Sequence, residues 1–546
     1  MRSRPQRLEA MSPFSRSSCV ALLGLLLVLG SACHAQKVVR LGFLLPYPEG
    51  DSAVPERLAN EWISAVRVAM EVLALDYEGA FLVEPFVKNS RCNSTAAAEA
   101  AKELVAGGVM GVVGPACSEA VAGANTVFKD AGIPFISFAA TADAFADDVA
   151  FPTFFRTVYA DQHQARAMIS VIKYFNFKQV NLFHSAELYG RSLSGVLKRA
   201  LGDAATQIEI AYPGTDNPVD YEPYFDGVKF NEGSINVFIT LPNVAEMLWK
   251  AAYNLNYTKF PWWYLGSDGA VAFDLVTDGD ELNHLTHALQ GEMGVAPYKG
   301  NYNPRNSPFV RFMDFWKEKS HETYPGLLSL DVSPRYTEAR AYVTNLVDAI
   351  WAFYQAFNHI ISVNKDDVTS AAVIDCFKDK PSGCLRFNGA SGTVSFNNVT
   401  GERDSEAQTP EYGFYNLIDQ TWKEKSKWVL NQKDINPDLQ YVLRPGPLPA
   451  GWRDNLTHQM EAPQAIIPKM SEIGVAVTYN QMEATKNAQS ASTSSGGGSS
   501  SAANAGAIVG LVLVVLVVVC FLSYSAFFLY KRYKRHPEHQ QFVRML

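Results

Sequence analysis

Short apolar runs alternate along this chain with longer amphipathic stretches, and polar residues close each run. Residues 38–45, 81–87, 109–113 and 133–138 are rich in Val, Ile, Leu and Phe, the length and composition of strands buried on both faces. Between them, 56–75, 95–105 and 118–131 carry apolar residues at helical spacing, and another such stretch opens at Asp161. The alternation restarts beyond it, with strands expected at 179–184, 207–211, 234–240 and 262–265 and helices at 190–201 and 244–253. Strand followed by helix, repeated in two blocks, predicts an α/β fold with two parallel sheets, and so two lobes.

In an open parallel sheet a ligand binds beyond the carboxyl ends of the strands, where loops meet helix N-termini. The runs here end in Gly114-Pro115-Ala116-Cys117-Ser118 and in Phe138-Ala139-Ala140-Thr141. A hydroxyl beside free helix N–H groups suits a carboxylate or another small anion. Taken singly, Ser118 and Thr141 read equally as a helix cap and a turn residue, since both residue types hydrogen-bond nearby backbone.

The two ends of the chain follow different patterns. Residues 1–35 join a basic start to a short apolar core and small residues near Ala35, the layout of a secretory signal peptide. Residues 505–530 contain an uncharged apolar run long enough to cross a hydrocarbon core of about 30 Å. Lys531, Arg532, Lys534 and Arg535 follow it, which places the 531–546 tail in the cytoplasm and the large N-terminal part outside. Between body and membrane, 432–504 is a juxtamembrane segment whose 487–504 end is rich in Ser, Gly and Ala. Such a tether spans roughly 20 to 25 Å as a flexible coil. The expectation is a type I single-pass protein of the cell membrane with a tail too short for a signalling domain.

Composition narrows the function classes. At 546 residues and 48% hydrophobic the chain can bury more than one core, and its formal net charge of −8 argues against nucleic acid as a partner. Setting aside Cys19 and Cys33 in the signal region and Cys520 in the apolar span, Cys92, Cys117, Cys376 and Cys384 remain, an even set suited to two sequential disulfides in an exported protein. Asn93, Asn256, Asn398 and Asn455 stand in N-glycosylation sequons on the expected outer side.

The order of these loops, together with Phe151–Arg156, Gln164-Ala165-Arg166-Ala167-Met168, Tyr189-Gly190, Gly266-Ser267-Asp268-Gly269 and the run from Phe387 to Phe396, resembles the type I periplasmic-binding-protein, or ANF-receptor, ligand-binding family. Metabotropic glutamate, GABA-B and natriuretic-peptide receptors carry such ectodomains, and the likeness spans roughly residues 38 to 430. It implies a Venus-flytrap module, two α/β lobes joined by three crossovers near Val158, Val295 and Thr400. Lobe 1 is then 36–157 and 298–398, and lobe 2 is 158–297 and 399–431.

The resemblance also implies a ligand set. In amino-acid receptors of this type a serine and a threonine hold the ligand carboxylate, and an acid, a tyrosine and a second acid hold its ammonium. By motif these are Ser118, Thr141, Asp161, Tyr189 and Asp268. The chemistry is coherent, since carboxylates accept from an ammonium and a ring face attracts a cation. Ala139 stands where glutamate-type receptors carry a further hydroxyl, and 270–273 offers no arginine for a distal acid. A neutral or apolar amino acid, or a similar zwitterion, therefore fits better than glutamate.

With one apolar span after the ectodomain, the layout resembles the natriuretic-peptide clearance receptor. Signalling through a flexible tether then requires a homodimer, a heterodimer or a separate subunit. Clearance of a peptide, or a co-receptor or adhesion role with no small ligand, are the alternatives. No enzyme, cofactor or metal is expected. Gly190-Arg191-Ser192-Leu193-Ser194 lacks the last glycine of a nucleophile elbow; the glycines of 107–114 lead through a strand instead of into a helix; and His284 and His287 have no carboxylate or cysteine partner in sequence.

Overall fold

The computed structural model describes residues 36–429 except 48–53, 55, 176, 212–216, 227, 229–233, 259–261, 272–288, 290–291, 299–307, 320–341, 379–383 and 419–420. The expected signal peptide, juxtamembrane segment, membrane span and tail lie outside the described residues, as do Asn455, His284 and His287. Among the described residues no helix is long and apolar enough to cross a membrane.

Two sheets organise the chain. The first contains β1 (Lys37–Leu45), β2 (Phe81–Asn89), β3 (Val112–Val113), β4 (Phe135–Ser137) and β5 (Phe154–Arg156), in the order β2-β1-β3-β4-β5. All its pairings are parallel. Its connecting helices are α1 (Glu56–Asp76), α2 (Ser94–Ala106) and α3 (Ser118–Ala131). The β3 ladder is shorter than the apolar run that predicts it; pairing nonetheless reaches back to Met110, whose N–H donates to the Arg40 carbonyl at 2.8 Å.

The second sheet follows α4 (Asp161–Tyr174). It contains β6 (Gln179–Ser185), β7 (Ala205–Ile210), β8 (Ser234–Ile239), β9 (Tyr264–Gly266), β10 (Met293–Pro297), β13 (Glu411–Ile418) and β14 (Thr421–Val429), in the order β14-β13-β10-β9-β8-β6-β7. Helices α5 (Leu188–Leu201), α6 (Pro242–Asn254) and the short α7 (Asp268–Val271) connect its parallel strands. β13 and β14 join antiparallel at one edge, as a hairpin that the βα pattern does not announce.

After β10 the chain returns to the first sheet with α8 (Pro308–Lys319), α9 (Val343–Asn358), α10 (Ser370–Lys378) and the small β11–β12 hairpin, Phe387–Gly389 and Gly392–Val394. One apolar core unites β1–β5 with α1, α3, α9 and α10. Two further cores cover the faces of the second sheet, one through α4 and α5 and the other through α6. The molecule is therefore bilobed, with a sheet at the centre of each lobe.

Three connections join the lobes, at 157–160, after β10, and between β12 and β13. Arg156 at the end of β5 is fully buried. It donates to the carbonyl of Ala142 at 3.0 Å and forms an ion pair with Glu402 in the last connection. Both disulfides are formed, Cys92–Cys117 and Cys376–Cys384. The first ties the end of β2 to the start of α3, and so fixes the loop that carries Ser118.

Candidate functional site

Each lobe presents its strand ends to the other. On the first lobe, Gly114 closes β3 with a φ of +100°, and a Cβ there would stand 2.1 Å from the Leu44 carbonyl oxygen. Only glycine fits, and this approach steers the chain into the start of α3. The residue preceding that helix, Cys117, gives no side-chain cap because its sulfur is in the disulfide. The first-turn N–H groups of α3 therefore end beside Ser118 without a local side-chain acceptor, the arrangement that attracts an anion.

A cleft enclosing about 470 Å³, its open mouth included, runs along this edge. Ser118 lines it from one lobe, and Tyr189 and Asp268 line it from the other. Tyr342 also lines it, and its remaining walls are largely apolar: Val54, Leu58 and Trp62 near and on α1, Leu241 and Pro242 at the start of α6. Trp62 is braced edge-on against Phe138 with ring centroids 5.2 Å apart.

Asp268 is the polar centre of the far wall. Tyr189 donates to its Oδ1 and also lies 2.7 Å from the Ser267 hydroxyl. Tyr342, at the start of α9 and so on the first lobe, donates to its Oδ2. Gly269 makes this packing possible, because a Cβ there would stand 2.2 Å from the Thr240 carbonyl oxygen. Burial, followed by the neighbouring Asp268 charge, pushes the phenols of Tyr189 and Tyr342 well above their ordinary range, so both remain donors.

Thr141 and Asp161 sit behind the lining. Both are buried, and the Asp161 N–H donates to the Thr141 carbonyl at 2.8 Å. Neither oxygen of the Asp161 carboxyl has a hydrogen-bond partner, and the Thr141 hydroxyl has none. The Ser192 and Thr141 hydroxyls lie near enough to favour the carboxylate without reaching hydrogen-bonding geometry. Burial outweighs them and pushes Asp161 up to about 8. Asp143 stands close by, raised by burial, accepting from the Gln162 N–H at 3.1 Å. Its own N–H donates to Ser192 on α5 of the other lobe, at 3.1 Å.

Three carboxyl groups thus converge, while the nearby Arg156 is engaged by Glu402 and by backbone carbonyls. Such a field favours a cation. Among the described residues no group of three or more His, Cys, Asp or Glu is arranged to hold a metal ion.

Residues 62–408, well over half of the chain, match the family described as "Receptor family ligand binding region". The chain belongs to that family. Within it, "Metabotropic glutamate receptor-like protein E" of Dictyostelium discoideum is 25% identical over 332 residues, which cover 58% of this chain and 36% of the relative. "Glutamate receptor 3.7" of Arabidopsis thaliana is 27% identical over 199 residues, 35% of this chain and 20% of the relative. The chain therefore spans about a third or less of the length of these relatives. Among solved structures, a solute binding protein of an ABC transporter from Rhodopseudomonas palustris, in complex with 3,4-dihydroxy benzoic acid, superposes with a TM-score of 0.54 at 14% identity, covering 72% of this chain and 97% of that one. A leucine binding protein from Thermotoga maritima gives 0.52 at 17% identity, over 73% and 99%. The receptor ligand-binding family thus has here the two-lobed fold of those solute binding proteins.

Of the five residues that sequence reasoning places at the ligand site of this receptor-family domain, the structure puts Ser118, Tyr189 and Asp268 on one cleft and Thr141 and Asp161 immediately behind it. Tyr342 completes the constellation unforeseen. It follows a stretch with no clear strand or helix pattern, and no spacing links it to Asp268.

Proposed function

We propose that this is a cell-surface receptor whose two lobes, 36–157 with 298–398 and 158–297 with 399–431, close on a small zwitterion, most simply a neutral amino acid. Ser118, Thr141 and the uncapped end of α3 receive the carboxylate. Asp161, Tyr189 and Asp268 receive the ammonium, and Trp62, Leu58, Leu241 and Pro242 take an apolar side chain. A signal peptide at 1–35 and one membrane span at 505–530 hold the domain outside the cell. Asn93, Asn256 and Asn398 are exposed and carry glycans on this reading. Signalling passes through a dimer or a partner subunit.

The observation that carries the reading is the fully buried carboxyl of Asp161, with both oxygens unpartnered behind a cleft that Asp268 and Ser118 line. A buried acid without a partner costs several kcal/mol, and a bound ammonium supplies the missing donors. Competition binding tests this: neutral amino acids should displace a labelled neutral amino acid from the chain, and glutamate should not. Displacement by glutamate alone, or by none of them, contradicts the proposal.

A further inference from the structure

We propose that Tyr342 is a closure latch, a first-lobe residue that holds Asp268 of the second lobe and biases the two lobes together before any ligand arrives. The proposal rests on the lobe-closure reading above and concerns what sets its resting equilibrium.

Hydrogen bonds pass from one lobe to the other at several points beside the cleft. The Asp161 N–H donates to the Thr141 carbonyl at 2.8 Å, the Gln162 N–H to the Asp143 carboxyl at 3.1 Å and the Asp143 N–H to the Ser192 hydroxyl at 3.1 Å, while the Tyr342 hydroxyl donates to Asp268. They differ in kind. Each of the first three takes its donor from the backbone. The last joins two side chains, is charge-assisted and is buried at both ends, since Tyr342 is 5% exposed and Asp268 3%. A phenol has one proton to give, and Tyr342 gives it across the cleft.

The backbone of Tyr342 supports a dedicated role. Its φ is +75°, in the left-handed region, although it is neither glycine nor asparagine. Bulky residues keep such a conformation only where the surroundings over-determine it, commonly at clamps and switches. Here it marks the first residue before α9.

Tyr189 supplies the internal comparison. It donates to the other oxygen of the same carboxylate, but from α5 of the same lobe as Asp268. Losing Tyr189's hydroxyl disturbs Asp268 without cutting a tie between lobes; losing Tyr342's cuts the tie. Asp268 keeps room for a ligand, because a carboxylate has about four acceptor positions and the phenols use two. The latch and a ligand ammonium therefore act together: a chain that spends more time closed binds with higher apparent affinity, in proportion to the competent fraction.

The test uses the full-length chain without added ligand, carrying fluorophores on unnatural amino acids at the exposed positions of Lys102 on the first lobe and Asp203 on the second. Tyr342→Phe keeps the ring and removes the donor. It should move the interlobe distance distribution to longer values, while Tyr189→Phe leaves it near that of the unsubstituted chain. If Tyr342→Phe fails to reach the cell surface, Asp268→Asn breaks the same charge-assisted bond from the other lobe and should produce the same lengthening. A distribution unchanged by Tyr342→Phe, or moved equally by Tyr189→Phe, overturns the latch. No ligand enters this assay, so its failure leaves the binding reading intact, and a failed ligand screen leaves the latch standing.

Discussion

Arg403 in the last connection donates to the carbonyl of Thr157 in the first, at 2.8 Å. The same guanidinium reaches the Ser391 hydroxyl at 2.7 Å and the Thr393 carbonyl at 3.0 Å, and lies 5.1 Å from the centre of the Tyr159 ring. The Tyr159 hydroxyl in turn donates to the Gln408 carbonyl at 2.6 Å. Two of the three chain crossings are therefore bound into one strap at the base of the cleft.

Arg403→Ala removes a buried cation together with its four acceptor contacts, the three above and the Ser391 carbonyl at 3.3 Å. Asp348, buried and held at about 6 chiefly by burial, with Arg403 the first of the groups pulling it down, then loses that support. Breaking a buried charged network by one partner costs about 3 to 5 kcal/mol. Urea unfolding should show a loss of that order, and Arg403→Lys, which keeps the charge without the fork, a smaller one. An Arg403→Ala chain as stable as the original contradicts the strap.

Asp161 gives a pH signature of definite sign. Its folded-state pKa, raised to about 8 by burial, exceeds the value near 3.9 of an unfolded chain. The folded state therefore keeps a proton that the unfolded state has lost between those values. The associated stability is fully present below about pH 4 and disappears as pH rises through 8, by on the order of 5 kcal/mol at most. Asp161→Asn should flatten this dependence, so that the variant gains on the original chain as pH is raised from 5 to 8.5 in thermal melts. An equal pH slope in both proteins contradicts the assignment.

The same proton should leave when a ligand ammonium arrives, because an adjacent cation favours the carboxylate. Binding at pH 7 should release protons, and affinity should rise from pH 6 to 8. Calorimetry in buffers of different ionisation enthalpy measures the count directly. Proton uptake, or none, would place the ammonium away from Asp161.

The strand-end residues were legible in sequence because their environment is local. A short apolar run that ends in Gly-Pro before an amphipathic helix, or in Gly-Ser-Asp, puts Ser118 and Asp268 at strand ends, whatever the rest of the chain does. Cys92–Cys117 was legible for the same reason, each cysteine closing a neighbouring strand-to-helix loop. The Tyr342–Asp268 bond was not, since 74 residues separate the pair and only the packing of one lobe on the other brings them together. The burial of Asp161 also escaped the pattern. An acid at a helix start reads as an ordinary first-turn residue, and nothing in the local sequence says that the facing lobe covers it. The β13–β14 hairpin escaped because a parallel βα reading has no place for an antiparallel edge.

On the proposed reading, the apolar wall of the cleft sets the side-chain preference. Leu241 lines the cleft and is only half-buried, so trimming it should disturb binding more than folding. Leu241→Ala should weaken a branched amino acid by about tenfold, the loss of one or two buried methylenes, and leave glycine unaffected. Equal effects on both would separate Leu241 from the ligand's side chain.

The Cys92–Cys117 bridge closes a 25-residue separation, and its removal should cost roughly 3 kcal/mol. Because it fixes the start of α3, the Cys92→Ala, Cys117→Ala double variant should also bind amino acids more weakly than a Cys376→Ala, Cys384→Ala chain of equal residual stability. Equal affinities would confine the bridge to a structural role.

A thermal-shift screen of the chain against the common amino acids, with Ser118→Ala and Asp161→Ala beside it, tests the ligand reading most directly. At a free ligand concentration about a hundred times the dissociation constant, binding adds roughly 2.7 kcal/mol to stability. The expected result is a raised Tm with neutral, apolar amino acids that both substitutions abolish. A chain whose Tm responds to no amino acid, or whose response survives both substitutions, contradicts a carboxylate-and-ammonium site between Ser118 and Asp161.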